Sequence, residues 1–287
     1  MKYLYTILVL SISLSAHSTE PQWHSLLDKD LSKWEVWMGI PHSSVKGLPK
    51  DTYVSDKIKF ATLGRAMGLN NDPKKVFSIM SNKDEHILHI SGEIFGGLST
   101  VKSYQNYHLS MQVKWGEKKW PPSLDSPSNT GLLFHCQGDH GVMWLAWKAC
   151  LEFEIMEGWF GYMFSMAGTS TTVQTNQPSK GQASYDPASS HYRKNAIFVK
   201  SSQNAEVSHG EWNTIELYTL DTRAIYVVNG SVVMAIEDAK DKYGQPLGSG
   251  QIQIQSEGAE AYYRGIKIRP ISAFPKEYSQ YLRTNIN

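Results

Sequence analysis

Ile225-Tyr226-Val227-Val228-Asn229-Gly230-Ser231-Val232-Val233-Met234-Ala235-Ile236 is a pair of apolar, β-branched runs joined by Asn-Gly. Asn-Gly is the dipeptide that best tolerates the positive φ angles of a two-residue turn, so the stretch predicts an antiparallel hairpin turning at 229–230. The same Asn229-Gly230-Ser231 matches a glycosylation sequon, although the turn accounts for it without a sugar. Working outward, Tyr107 to Trp115 alternates, with Leu109, Met111 and Val113 set against polar partners, and Gly131 to Cys136 is a mostly apolar run. Gln251-Ile252-Gln253-Ile254-Gln255-Ser256-Glu257 alternates cleanly. Period-two runs separated by turn signals, with few long segments of helical period, predict a β-sandwich or barrel. Two polar loops, Pro121 to Asn129 and Asn176 to Ser190, are expected to lie over an end of the sandwich.

The 287 residues include 9 Trp, 15 Tyr and 9 Phe within a hydrophobic fraction of 41%, ample for a sizeable core. A formal net charge of +1 carries no nucleic-acid footprint, so polyanions are not expected partners. Lys2, an apolar run from Tyr3 to Leu14, and small or polar residues through Ser18 have the layout of a secretory signal peptide. The run is too short to span a bilayer. Residues 1–18 are therefore expected to be a cleaved signal and 19–287 a single domain that is periplasmic or secreted. The two cysteines, Cys136 and Cys150, either form one disulfide or stay buried and unpaired, and neither has a companion at zinc-finger spacing.

Glu152-Phe153-Glu154-Ile155-Met156-Glu157 places three carboxylates in one strand-like run. Alternation turns Glu152 and Glu154 to one face and Phe153 and Ile155 to the core. Glu157 has the wrong parity, but a one-residue bulge after Glu154 would return it to the acidic face. Crowded carboxylates cannot all ionise easily, so one is expected to hold its proton while a neighbour is anionic. A plain solvated strand face is the alternative. Gln251, Gln253, Gln255 and Glu257 share a second polar face, and amides and carboxylates at that spacing suit sugar hydroxyls. Glu152, Glu154, Gln253 and Gln255 are expected on one concave surface. Trp144, Trp147, Trp159 and Phe160 are available for ring stacking or for the core. His135 is a candidate proton carrier or metal ligand, or a structural histidine; Arg264 either binds substrate oxygens or braces the sheet through Glu257 or Glu260. His140 and His209 are weaker candidates beside glycines.

The chain resembles the 3-keto-disaccharide hydrolase domain family. The likeness rests on Phe95-Gly96-Gly97-Leu98-Ser99-Thr100, Tyr104-Gln105-Asn106-Tyr107-His108-Leu109 and Lys114-Trp115-Gly116-Glu117-Lys118-Lys119-Trp120. Asn129-Thr130-Gly131-Leu132-Leu133-Phe134-His135, Glu211-Trp212-Asn213, Asn229-Gly230, Gln255-Ser256-Glu257-Gly258-Ala259-Glu260 and Tyr263-Arg264-Gly265-Ile266 follow in order. The resemblance implies an all-β, concanavalin A-like jelly-roll sandwich of two antiparallel sheets. It implies an exported carbohydrate-active enzyme acting on glycosides oxidised to a ketone at C3. Such a ketone acidifies the C2 proton, so a base can remove it, the C1 substituent leaves by β-elimination, and water adds to the unsaturated sugar. The site then needs a base, an enolate stabiliser and an acid, and a divalent metal ion is an implied candidate for the middle role. Glu154 and Glu157 are the expected proton-transfer pair, with Glu152 and His135 beside them and Gln253, Gln255, Glu257, Arg264, Trp147 and Trp159 around the substrate. The sequence departs from the family where Glu152-Phe153-Glu154 replaces Glu-x-Gln, and where Trp159-Phe160-Gly161-Tyr162 replaces an aspartate-bearing run.

The acidic stretch also resembles the Glu-x-Asp-x-x-Glu signature of laminarinase-type retaining glucanases, which implies Glu152 as nucleophile and Glu157 as acid/base. A non-catalytic glycan-binding jelly roll is a third reading. The signal-peptide reading predicts that the exported protein begins after Ala16 or Ser18; N-terminal sequencing that finds Met1 would contradict it.

Overall fold

The computed structural model describes residues 21–81, 85–177 and 181–283. The expected signal peptide and its cleavage positions lie outside the described residues. Among the described residues, two antiparallel sheets of ten and nine strands make up the fold, and a single 3-10 helix, Lys276–Tyr281, lies near their C-terminal end. This is the jelly-roll sandwich that the resemblance implies. Among the described residues, no helix is long and apolar enough to cross a membrane.

The hairpin forms as predicted. Strands Arg223–Val228 and Ser231–Lys240 pair with Val228 opposite Ser231, and Asn229 and Gly230 take φ of 48° and 80°. The Asn229 amide is engaged: its Nδ2 donates to the Ala205 carbonyl, and its Oδ1 accepts the Thr214 N–H. These bonds pin the turn against the neighbouring loop and strand.

The acidic run sits in the strand Ala149–Met156 of the nine-stranded sheet, between Asn129–Gln137 and Met163–Ser165. Beyond Asn129–Gln137 come Ser249–Ser256, Gly96–Thr100 and Trp34–Met38. The inward side chains Leu151, Phe153 and Ile155 are fully buried against the other sheet. Phe153 stacks on Tyr226 of the hairpin, ring centroids 4.5 Å apart and planes 9° from parallel, so the acidic strand is clamped to the opposite sheet. Cys136 and Cys150 form a disulfide on the outward side of this sheet.

The outward side is not bare. Trp147 is fully buried there, donating its indole N–H to the Gly96 carbonyl and packing near Phe95, and Ile40, Ile58, Ala61, Leu133, Ala146 and Met166 complete a second apolar cluster. The long connections after Met38 and Gln137 thus cover part of the face, which explains why Gln253 and Gln255 are buried despite alternating with Ile252 and Ile254. Truncating Phe153 removes the stacked contact between the sheets and leaves a cavity, so Phe153→Ala is expected to cost about 3 to 5 kcal/mol, read as a lower urea midpoint.

Candidate functional site

Register determines which side chains meet on the outward face. Glu154 stands opposite Gly131 and Glu152 opposite Leu133, while Gln253 and Gln255 of the next strand stand opposite Ser99 and Gly97. Glu152, Glu154, Gln253 and Gln255 therefore share one face, as alternation predicts. The two glycines matter because they leave the room that the longer side chains occupy. A Cβ at Gly131 would lie 2.3 Å from Glu152 Oε1 and 2.4 Å from Gln255 Oε1, and one at Gly97 would lie 2.4 Å from Gln253 Nε2. Glycine inside a strand marks such a close approach, and it is the sequence signal that would have located this packed polar row.

Glu152 and Glu154 are each only 4% exposed, and Glu257 closes the cluster from the turn after Ser249–Ser256. Burial pushes the Glu152 carboxyl well above the ordinary carboxylate range, and the charge of Glu257 adds to this, while a hydrogen bond with Gln255 opposes it. Burial likewise raises Glu154, helped by Glu152 and Glu257 and opposed by a hydrogen bond from Asn129. Glu257 is pushed up to about 8 by burial, with Lys59 pulling the other way. Three carboxyls held this closely out of water favour the protonated state, so at neutral pH the cluster carries less than its full charge. Glu152 Oε1, Gln255 Oε1 and Asn129 Oδ1 are buried without a hydrogen-bond partner, acceptors into which a proton or a substrate hydroxyl can donate. Asn129 belongs to the site although the sequence reading did not select it.

Other expected site residues lie elsewhere. The pairing of Glu154, Ile155 and Met156 with Gly131, Thr130 and Asn129 runs without a bulge, so Glu157 does not return to the acidic face. It bonds His209 Nδ1 at 2.9 Å, and hydrogen bonds from His209 and Ser128 lower its pKa despite partial burial. The strand's irregularity falls at its other end, between Ala149 and Leu151. Glu152 and Glu157 are thus not brought together as the retaining-glucanase reading needs. His135 occupies that irregular end with φ of 52°, which turns its ring inward to Tyr107 and Phe134. Burial drives its pKa down to about 3, and both ring nitrogens lack partners.

Arg264 sits on the outer side of the other sheet. Its partner in alternation, Tyr263, fills the core, so the guanidinium packs on Trp212, donates from Nε to Gln112 Oε1 and pairs with Glu85; the bracing through Glu257 or Glu260 does not form. Trp147 is a buried plug rather than a stacking surface. Gln253 is consumed beneath it, donating to Ser99 Oγ and accepting the Lys148 N–H. Trp159 is 37% exposed in the turn after the acidic strand. His140 bonds Glu35 at the far edge of the same face. Among the described residues, no three His, Cys, Asp or Glu side chains are placed to hold a metal ion. The implied divalent ion therefore does not fit a preassembled seat of that kind among the described residues.

The profile of the 3-keto-alpha-glucoside-1,2-lyase-like domain matches residues 22–269, which include every carboxylate of the cluster. The chain belongs to that family. Solved structures similar to this lyase-like domain include a Parabacteroides distasonis protein provisionally named a glycosyl hydrolase, at 16% identity and a TM-score of 0.47, covering 87% of this chain and 100% of that one. A Bacillus licheniformis beta-glucanase overlaps at 11% identity and a TM-score of 0.41, covering 88% and 99% of the two chains. The carbohydrate binding module CBM66 from Bacillus subtilis overlaps at 8% identity and a TM-score of 0.39, covering 67% and 91%. Overlaps at this level carry no argument about activity. No curated protein matches the chain.

The raised Glu257 sets a pH dependence of stability. Between the ordinary carboxylate value and about 8, the folded state keeps a proton that the unfolded chain has released, so stability falls as pH rises through that window. Glu257→Gln removes this loss. Its stability relative to wild type should climb with pH by up to about 1.4 kcal/mol per unit between about pH 4.5 and 8, then level off. Urea midpoints that differ by a constant amount across the range would count against the raised pKa.

Proposed function

We propose that this family member is an exported enzyme that cleaves glycosides bearing a C3 ketone, by elimination followed by hydration. The buried carboxyl cluster on a glycine-lined sheet face carries the reading, because elimination needs both a strong base and a protonated acid in one dry pocket. A carboxylate whose pKa is raised is a stronger base than an exposed one, and a neighbour that keeps its proton at neutral pH is a ready acid.

In this reading Glu154 takes the proton from C2, and the electron pair of that bond moves into an enolate whose charge rests on the C3 oxygen. The C1–O bond then breaks, its pair leaving on the aglycone oxygen, which receives a proton from Glu257. Water adds across the resulting unsaturated sugar to release the keto sugar. Glu152 faces the same reacting ring and, through Gln255, keeps the polar floor of the site in place. Asn129 orients Glu154 by its hydrogen bond. Burial serves the chemistry twice: it keeps Glu257 protonated, and it strengthens every hydrogen bond made to the developing enolate.

Purified protein should convert a 3-keto-disaccharide while leaving the unoxidised parent intact, and in heavy water deuterium should appear at C2 of recovered substrate or product. Glu154→Gln should slow turnover by about 100-fold or more, the usual scale for a positioned base. The rate should rise with pH as Glu154 gives up its proton, over a range displaced upward from that of an ordinary carboxylate because burial raises this group. A Glu154→Gln protein with full activity would remove Glu154 from the mechanism. A chelator that abolishes turnover, reversed by adding back a divalent ion, would mean that the ligands assemble only when the ion binds.

A further inference from the structure

The face that carries the acidic cluster continues onto two strands at the edge of the sheet. Phe164 stands directly opposite Glu152, and Phe198 directly opposite Phe164, so all three side chains project to the same side. Tyr162, whose carbonyl accepts the Glu154 N–H, lies beside them, and Trp159 precedes it in the turn. The rings are contiguous: centroids lie 4.6 Å apart for Phe164 and Phe198, 5.7 Å for Tyr162 and Phe198, and 5.0 Å for Trp159 and Tyr162. None of them is needed to fill the interior. The inward partners on the same three strands, Phe153, Met163 and Val199, are fully buried, whereas Tyr162, Phe164 and Phe198 are half-buried and Trp159 is exposed.

We propose that Trp159, Tyr162, Phe164 and Phe198 form a stacking shelf for a second sugar ring, the aglycone half of a disaccharide whose oxidised ring lies over Glu152 and Glu154. The proposal deepens the reading of the site given above and rests on it. Neighbouring strands stand about 4.8 Å apart, so a ring over Phe164 adjoins one over Glu152, and Phe198 extends the platform by one further strand. A pyranose has an apolar face of C–H groups and a rim of hydroxyls. The face suits the negative π-surface of an aromatic ring, while the rim needs the polar groups that the adjoining row supplies. A lipid chain or an apolar peptide would use the shelf but leave the carboxyls and amides beside it unmatched. The strand Phe198–Val199 ends the sheet, so the shelf opens outward at its far side.

Two substrates separate the shelf from the chemistry: a 3-keto-disaccharide, which has a second ring, and a methyl 3-keto-glucoside, which has none. For Phe198→Ala and Trp159→Ala the preference for the disaccharide, as a ratio of kcat/KM values, should fall about tenfold, mostly through KM. An unchanged ratio would overturn the shelf, even if both rates fell together. Trp159→Ala guards against a folding defect, because its side chain lies at the surface. If neither keto substrate is turned over, the elimination reading fails on its own and calorimetric titration with the unoxidised disaccharide decides the shelf. Wild-type binding that Phe198→Ala weakens about tenfold supports it; no binding, or equal binding by both proteins, overturns it.

Discussion

Glu152 and Gln255 pack together on the acidic face because Gly131 between them carries no side chain. Gly131 is flanked by Glu152 Oε1 and Gln255 Oε1 at distances that no Cβ could share, and Gly97 does the same for Gln253. The burial of the carboxyls in turn sets the direction of their pKa shifts. Burying unpaired carboxylates is costly, so the cluster holds protons instead, and the proton inventory that the proposed elimination needs is a by-product of packing.

Such a pocket needs rigid walls. The acidic strand gets them from its inward side, where Phe153 stacks on Tyr226 of the opposite sheet and Leu151 and Ile155 fill the core. On the outward side, Trp147 and its neighbours seal the end of the face near the disulfide and immobilise Gln253. Polar and apolar residues thus divide a single sheet face: a sealed apolar end, a carboxyl cluster in the middle and an aromatic edge. That division of the face differs from the uniform polar groove that alternation alone suggests.

The acids also differ among themselves for reasons of position. Glu157 lies only three residues beyond Glu154, yet hydrogen bonds from His209 and Ser128 hold its pKa low at the sandwich end. An uninterrupted register sends it away from the cluster, whereas Glu257, more than a hundred residues distant, joins from the turn after a strand two places away in the sheet. Proximity in sequence was therefore a poor guide to proximity in the site.

Local patterns in the sequence determined the strands, the hairpin at Asn229-Gly230 and the shared face of Glu152, Glu154, Gln253 and Gln255. Side-chain alternation is a property of the backbone itself and needs no partner to be read. The ordered motifs likewise indicated the family. Tertiary structure alone decided which polar faces stay open. The inward turn of His135 depends on a bulge, and the outward turn of Arg264 depends on which sheet its strand joins. The burial of Trp147 depends on a connection folding back over the face. Phe164 and Phe198 come beside Glu152 only through cross-strand register, which pairs residues remote in sequence and is set by the packing of the whole sandwich.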